Sequence, residues 1–332
     1  MEWSTKTQEY IVPELRIYKR HLFLKLPKYR YIFKIQSTIL KAARDYLYSH
    51  GFIELVAPVI APVTDPGVRE AREFDLEYYE ERAVLVTSAI LYKLAGLKIH
   101  DKIFYLAHNI RREPINLRDF TTRLAEFRQI DIEIANIDRN ELVSISEDFL
   151  IYIIKAVKKE RREELEKLGR DLRVPRKPFK RIKFDDAVEI VSEKGYGLDS
   201  SGELSKDAER YISMLYKEPF WIIDFPAKIR GFYYKKKDQK YLLDMDLMYP
   251  EGFGEGASGG EREIDPIKVR ERMMETGTDP RKYIWLFEIL QDGLPQCSGI
   301  GFGLERLTRY ITGVKDIIDT VLFPKAPGYL GL

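Results

Sequence analysis

The amino-acid sequence predicts an α+β protein whose sheet is not doubly wound. Three observations favour this class: a long amphipathic helix at 31–50, strands on both sides of a polar loop between residues 109 and 133, and a glycine-rich strand that runs directly into a helix at 298–307. No phosphate-binding P-loop and no dinucleotide-binding glycine motif follows a predicted strand, which argues against a doubly wound parallel sheet.

The first element is the helix at 31–50, which presents one apolar face. That face is formed by Ile32, Ile35, Ile39, Ala42, Ala43 and Leu47. Gly51 is a natural C-cap, and a strand is predicted at 51–60. Because Pro58 cannot donate to a ladder, it is expected at a sheet edge or at the end of this strand. An edge strand beside a long helix suits a dimer interface.

The second element is a strand, a long loop and a second strand between residues 109 and 133. Arg111 and Glu113 share parity, so they are expected to project from one face of the first strand. The second strand places four side chains on one face, namely those of Phe127, Gln129, Asp131 and Glu133. This face would be a poor core and a good polar site, although for any one of these residues a solvated face with incidental ion pairs is the better explanation.

The third element is the strand and helix at 298–307. Gly299, Gly301 and Gly303 remove side chains where a flat group could lie against the backbone. Arg306, one turn inside the helix, offers a planar cation that can stack on a ring and pair with phosphate. Close packing of the glycines is the alternative explanation.

In this order the three segments resemble motifs 1, 2 and 3 of the class II aminoacyl-tRNA synthetase catalytic domain. Residues 249–263 resemble the magnesium and substrate strand of its aspartyl/asparaginyl branch. The resemblance implies a mostly antiparallel sheet flanked by helices and a homodimer formed through motif 1. It places a catalytic domain at 31–328 after an N-terminal extension at 1–30. A polar helical insertion is expected at about 160–217, as a solvated surface rather than an RNA-binding patch.

Within this branch the sequence resembles the archaeal asparagine synthetase that is related to these tRNA synthetases. No anticodon-binding β-barrel pattern precedes the motif 1 helix, so tRNA is not expected as a partner. Lys93 and Asp131 match the aspartate-binding relatives, and 64–66 also resembles the archaeal synthetase. Against this, 250–255 is shared with asparaginyl enzymes. Two further departures are Arg123, where a histidine is usual, and Ile90, which replaces a glutamine that helps hold aspartate.

The resemblance also implies roles for residues around ATP. Phe127 and Arg306 would hold the adenine ring between them, and Arg111 would pair with the α-phosphate. Glu113 would accept a hydrogen bond from the adenine amino group, and Arg123 would face the outer phosphates. Arg111 and Arg306 are therefore the candidate catalytic residues. The candidate ligands of Mg²⁺, which prefers hard oxygen atoms, are Asp246, Glu255 and Ser258.

At the amino-acid end, Asp131 would hold the substrate ammonium, and Lys93 and Arg262 would hold one carboxylate. Ser88 and Gln129 complete the expected substrate-binding set. Because a buried ammonium beside a guanidinium is costly unless an anion joins them, the pair predicts aspartate rather than asparagine.

The predicted function is an ATP-dependent asparagine synthetase. It would adenylate the side-chain carboxylate of free aspartate, and ammonia would then displace AMP after pyrophosphate has left. Two alternatives remain open: an aspartyl- or asparaginyl-tRNA synthetase-like enzyme without the anticodon-binding domain, and a non-catalytic paralogue with a regulatory binding role. The expected cofactors are ATP and Mg²⁺.

Composition agrees with a cytoplasmic enzyme. The 332 residues include 55 basic and 53 acidic side chains, and this balance gives no general electrostatic case for RNA binding. A single cysteine, Cys297, excludes an internal disulfide framework and cannot form a zinc site. No signal-peptide pattern and no apolar run long enough for a membrane span is present, so no membrane association is expected.

Overall fold

The computed structural model describes residues 13–66, 71–115 and 122–332, so residues 1–12 of the expected N-terminal extension lie outside the described part. The helices are α1 (Pro13–Tyr18), α2 (Arg20–Phe23), α3 (Pro27–Ser49), α4 (Ile90–Gly96), α5 (Arg139–Glu160), α6 (Arg162–Lys167), α7 (Phe184–Ser192), α8 (Lys206–Met214), α9 (Pro266–Glu275), α10 (Ile284–Gln291) and α11 (Leu304–Thr312). The strands are β1 (Ile53–Glu54), β2 (Ile60–Ala61), β3 (Asp75–Tyr78), β4 (Glu81–Leu85), β5 (Lys102–Ile110), β6 (Glu126–Ala135), β7 (Lys180–Lys183), β8 (Phe220–Ile223), β9 (Asp244–Tyr249), β10 (Gly254–Glu261) and β11 (Cys297–Gly303).

The main sheet has eight strands in the order β1-β5-β6-β11-β10-β9-β8-β7. Only its two outer pairs, β1 with β5 and β7 with β8, are parallel, and the inner neighbours are antiparallel. A second sheet has the order β2-β4-β3. The predicted α+β fold with a mostly antiparallel sheet flanked by helices is therefore confirmed.

The sequence of the long helix α3 explains where the helix begins and ends and which face it buries. Pro27 occupies its first turn, where no amide donor is needed, and Gly51 follows its end with φ +79. All six residues of the predicted apolar face are buried. Five of them, all except Ile32, pack with α5 and one face of the main sheet in the largest core. Asp138 and Glu141 form a reciprocal capping box that starts α5.

Two expectations about local structure need correction. Strand β5 ends at Ile110, so Arg111 and Glu113 lie just beyond it rather than on its face. The segment 160–217 is not wholly helical, because β7 extends the main sheet at its edge and helps to bury a core of its own.

None of the described helices is long and apolar enough to cross a membrane.

Candidate active site

A cavity opens over the centre of the main sheet, where β6, β10 and β11 lie side by side. It is lined by all but one of the predicted site residues: Ser88, Lys93, Arg111, Glu113, Arg123, Phe127, Gln129, Asp131, Glu255, Ser258, Arg262 and Arg306. The exception, Asp246, lies directly beside Ser258 in the β9–β10 ladder.

Glycines of β11 make room for acids of β6. Gly299 lies opposite Glu133 and Gly301 lies opposite Asp131. A Cβ atom on Gly299 would lie 1.8 Å from Glu133 Oε2, and one on Gly301 would lie 2.6 Å from Asp131 Oδ1. Side chains at these two positions would therefore collide with the carboxylates. A flat group was expected to lie against these glycines, but their immediate neighbours are carboxylates of the protein.

Four buried charges form the floor of the cavity, and we call them the floor cluster: Lys93, Asp131, Glu133 and Arg262. Each is at most 3% exposed. Lys93 Nζ donates to Asp131 Oδ1 at 3.1 Å and lies 3.4 Å from Glu133 Oε2. Arg262 makes a bidentate pair with Glu133, at 2.8 and 3.0 Å.

The floor cluster contains two cations and two carboxylates, so its formal charge is balanced. The sequence-based argument that Lys93 and Arg262 require an added anion is therefore wrong, because it did not count Glu133 as their partner. Although burial alone would lower it, the charge of Glu133 raises the pKa of Arg262 above its ordinary value.

Two atoms of the floor cluster are left for a ligand. Among the residues that the structure describes, none forms a hydrogen bond with Asp131 Oδ2 or with Arg262 Nη1, and both atoms are buried. A buried polar atom without a partner costs about 1–3 kcal/mol. The cluster thus offers one acceptor for an ammonium group and one donor for an oxygen atom.

Gln129 and Ser88 lie beside these atoms with their own contacts. Gln129 Oε1 accepts a hydrogen bond from Asn109 Nδ2 at 2.7 Å, which holds the amide in place. Ser88 Oγ accepts from the backbone N–H of Ile90 near the start of α4.

At the other end of the cavity lie the predicted ATP-binding side chains. The guanidinium of Arg111 lies 5.0 Å from the centre of the Phe127 ring, and its Nε donates to the carbonyl oxygen of Thr87. Glu113 accepts a hydrogen bond from Arg123 at 2.7 Å. These contacts bring an aromatic face and two guanidinium groups together, which can bind a nucleotide base and its phosphates.

Arg306 extends from the first turn of α11 towards β10. Its Nη1 lies 3.1 Å from Glu255 Oε1 and donates to the Glu255 carbonyl oxygen at 3.3 Å. The same arginine lines the cavity and is partly exposed, so it can also reach a ligand.

The predicted metal ligands do not surround a shared space. Asp246 accepts hydrogen bonds from Arg230 at 2.7 and 3.2 Å, and Ser258 accepts one from the same guanidinium at 2.8 Å. Glu255 pairs with Arg306 instead. Across residues 13–66, 71–115 and 122–332, no group of three histidine, cysteine or acidic side chains is arranged to hold a metal ion. This arrangement does not fit Mg²⁺ held jointly by Asp246, Glu255 and Ser258.

Sequence reasoning missed several residues that line the cavity: Glu203, Lys206, Arg230, Tyr233, Tyr234 and Glu305. Glu203 and Lys206 belong to the segment that was expected to be a solvated surface, and that expectation is wrong for these two positions. Glu305 could have been found, since it directly precedes Arg306. It accepts a hydrogen bond from the Arg128 amide, and burial raises the pKa of Glu305 to about 7.

Known proteins are similar to this chain over nearly its whole length. A family model described as tRNA synthetases class II (D, K and N) matches residues 12–327. The chain belongs to this family. An asparagine–tRNA ligase of Pyrococcus horikoshii is 32% identical over 97% of this chain and 74% of that protein. An aspartate–tRNA(Asp/Asn) ligase of Sulfurisphaera tokodaii is 32% identical over 94% of this chain and 72% of its own.

A solved structure shows the same fold. The asparaginyl-tRNA synthetase of Pyrococcus horikoshii, complexed with asparaginyl-adenylate, superposes with a TM-score of 0.90 at 31% identity. The match covers 98% of this chain and 75% of that one. The resemblance to the catalytic core of class II synthetases is therefore confirmed.

These relatives change two expectations. The chain is an aminoacyl-tRNA synthetase-like enzyme of a class that uses ATP, and its relatives do not support the predicted aspartate–ammonia ligase. The expectation that tRNA is not a partner is wrong, since the similar proteins are tRNA ligases.

Proposed function

We propose that this chain activates asparagine with ATP, forming an asparaginyl adenylate, and transfers the asparaginyl group to tRNA. The proposal rests on two buried atoms, Asp131 Oδ2 and Arg262 Nη1, that have no hydrogen-bond partner among the described residues. They lie in the same cavity as Arg111, Phe127 and Arg306. An amino acid bound at Asp131 and Arg262 would lie next to ATP bound at the other end of the cavity.

The charge balance of the floor cluster favours asparagine over aspartate. Asparagine is a zwitterion with a neutral side chain, so it adds no net charge to a buried cluster that is already balanced. Asp131 would accept a hydrogen bond from its ammonium group, and Arg262 Nη1 would donate to its side-chain oxygen. Gln129 and Ser88 would line the remainder of the amino-acid site.

The chemical step needs the α-carboxylate of the amino acid to attack the α-phosphorus of ATP. A new phosphorus–oxygen bond forms, and the bond to pyrophosphate breaks. Arg111 would stabilise the charge that spreads over the α-phosphate, and Phe127 and Arg306 would hold the adenine. Glu113 would accept from the adenine amino group, and Arg123 would face the outer phosphates. Magnesium would accompany the ATP phosphates, and we assign no step to a metal held by Asp246 and Ser258.

Pyrophosphate exchange tests the activation step. Purified protein is incubated with ATP, labelled pyrophosphate and either asparagine or aspartate, and label entering ATP is measured. We expect exchange with asparagine. Exchange with aspartate alone would contradict the assigned substrate. Incubation with labelled asparagine and total tRNA, followed by acid precipitation, then tests transfer, and Arg111→Ala provides the inactive control.

The second candidate is amidation of aspartate by ammonia. It is favoured by Lys93, whose buried ammonium adds a second cation to the amino-acid end of the cavity. In this reaction Lys93 and Arg262 would bind the α-carboxylate, and the side-chain carboxylate would attack the α-phosphorus. Ammonia would then attack the acyl carbon, release AMP and lose a proton to solvent.

The two candidates give different products. Protein incubated with aspartate, ATP, Mg²⁺ and ammonium would yield free asparagine and AMP only if the second candidate is correct. Chromatography of the amino acids and nucleotides identifies both. Formation of ADP would exclude attack at the α-phosphorus in either candidate.

We further propose a homodimer through the motif 1 segment. Val56 is 95% exposed, and Ile53, Val59 and Ile60 expose apolar surface beside it. Four exposed apolar side chains within eight residues are typical of an interface. Sedimentation of the wild type and of Val56→Asp tests this, and a monomeric wild type would contradict it.

A further inference from the structure

Arg230 is the most heavily bonded side chain in the cavity wall, yet it lies outside every segment that predicted the site. It follows the short 3₁₀ turn Ala227–Ile229. Arg230 is 7% exposed, and its guanidinium carbon lies 4.3 Å from the ring centre of Phe225. No motif in the sequence pointed to Arg230, because its hydrogen-bond partners are brought to it only by the fold.

All three nitrogen atoms of the Arg230 guanidinium donate hydrogen bonds. Nε donates to Asp244 at 2.9 Å, and Nη1 donates to Glu203 and to Asp246, both at 3.2 Å. Nη2 donates to Asp246 at 2.7 Å and to Ser258 at 2.8 Å. These five contacts match the five N–H donors of an arginine, so no donor remains for a substrate.

The same contacts place one cation among three buried carboxylates. Glu203, Asp244 and Asp246 are each at most 2% exposed. Buried carboxylates at such short separations repel one another unless a cation joins them. A magnesium ion bound directly to these oxygen atoms would lie about 2.0–2.1 Å from them, and the guanidinium already occupies the space between the carboxylates.

We infer that the Arg230 guanidinium is the cation that neutralises these three carboxylates. It occupies the place beside Asp246 and Ser258 where Mg²⁺ was expected. Arg230 is thus a positioning residue: it orients Asp246 and Ser258 without touching substrate. The inference concerns the chain without nucleotide, so it stands or falls independently of the amino acid that is activated.

The experiment is a titration of the full chain with Mn²⁺ in the absence of nucleotide, in which free Mn²⁺ is measured by electron paramagnetic resonance. We expect no stoichiometric binding to the wild type. Arg230→Ala removes this guanidinium. The variant should gain one Mn²⁺ site and bind Mn²⁺ at least ten-fold more tightly than the wild type does. Arg230→Lys retains the positive charge and should not gain it.

The matched control is Lys237→Ala, which also removes one positive charge. Lys237 pairs with Asp224, a carboxylate that keeps its hydrogen bond to Arg139, so no site should appear. A folded Arg230→Ala that gains no Mn²⁺ site would overturn the inference. So would a wild type that binds Mn²⁺ and loses it in Asp246→Asn, and this comparison decides the question even if Arg230→Ala fails to fold.

Discussion

Gly299 faces Glu133 across the β6–β11 ladder so closely that even a methyl group on Gly299 would overlap the carboxylate. That carboxylate makes the bidentate pair with Arg262 and lies 3.4 Å from Lys93 Nζ. Because Gly299 has no side chain, it leaves space for the Glu133 carboxylate, which helps to balance the charge of the floor cluster.

We expect Gly299→Ala to displace Glu133 and to lower the free energy of unfolding by about 1–3 kcal/mol, the usual cost of overpacking a buried site. Urea denaturation measures this. Gly197→Ala is the matched control, because nothing lies within 4 Å of its added Cβ atom and its φ angle is not in the left-handed region. Equal urea midpoints for wild type and Gly299→Ala would contradict the prediction.

Arg111→Ala should reduce amino-acid-dependent pyrophosphate exchange by about 10²–10³-fold, as expected when a donor to developing charge is lost. Arg306→Ala should also reduce exchange, because it removes one of the two groups that would hold the adenine ring. Neither side chain belongs to the buried core, so both variants should keep the wild-type circular dichroism spectrum. Arg162→Ala, which removes an exposed arginine paired with Glu166, should exchange at the wild-type rate. Either site variant with more than half of wild-type exchange would show that its assigned role is wrong.

Lys93→Leu should lower the free energy of unfolding by about 3–5 kcal/mol, because it leaves Asp131 and Glu133 with one cation between them. If the amidation of aspartate is the correct function, the same variant should also weaken the use of aspartate by about 2–4 kcal/mol, because Lys93 would then bind its α-carboxylate. Thermal denaturation and exchange kinetics measure the two effects.

Lys98→Ala is the control for Lys93→Leu. Lys98 lies just beyond the end of α4 and pairs with the exposed Asp292. Removing the Lys98 side chain should therefore change the free energy of unfolding by no more than about 0.5 kcal/mol. If Lys93→Leu and Lys98→Ala were equally stable, Lys93 would not be part of a buried charge cluster.

Local patterns were enough to predict α3 and the polar face of β6. In α3 the apolar spacing matches one helical face, and in β6 alternate side chains point to opposite sides of the sheet. The strand and helix at 298–307 could also be predicted, because the glycines alternate along one short segment and Arg306 follows three positions after the last of them. The confirmed fold and most of the cavity lining follow from these segments.

Pairings between distant residues could not be predicted in the same way. Glu133 was recognised as a polar strand residue, but its partner Arg262 lies 129 positions away. Arg230 was missed because its turn has no periodic pattern, and β7 was missed because its sequence Lys180–Lys183 contains only one apolar residue. Which charges balance one another is a property of the folded chain, and this is why the sequence-based argument about Lys93 was wrong.

The last prediction concerns Glu305, which is buried behind Arg306 and whose pKa burial raises to about 7 from an ordinary value of 4.5. A hydrogen bond from the Arg128 amide opposes this shift without cancelling it. The folded chain therefore holds a proton on Glu305 more tightly than the unfolded chain does. The stability that this proton supplies is fully present below pH 4.5 and is lost as the pH rises to about 7.

Glu305→Gln cannot ionise, so it should gain stability relative to the wild type as the pH rises from 5 to 8, by about 2–3 kcal/mol in total. Urea denaturation at each pH measures the difference. Asp244 and Asp246 have pKa values raised by burial to about 7 and about 6, but they titrate in both proteins and cancel in the comparison. A difference that does not vary with pH would mean that the Glu305 carboxylate ionises at its ordinary pKa.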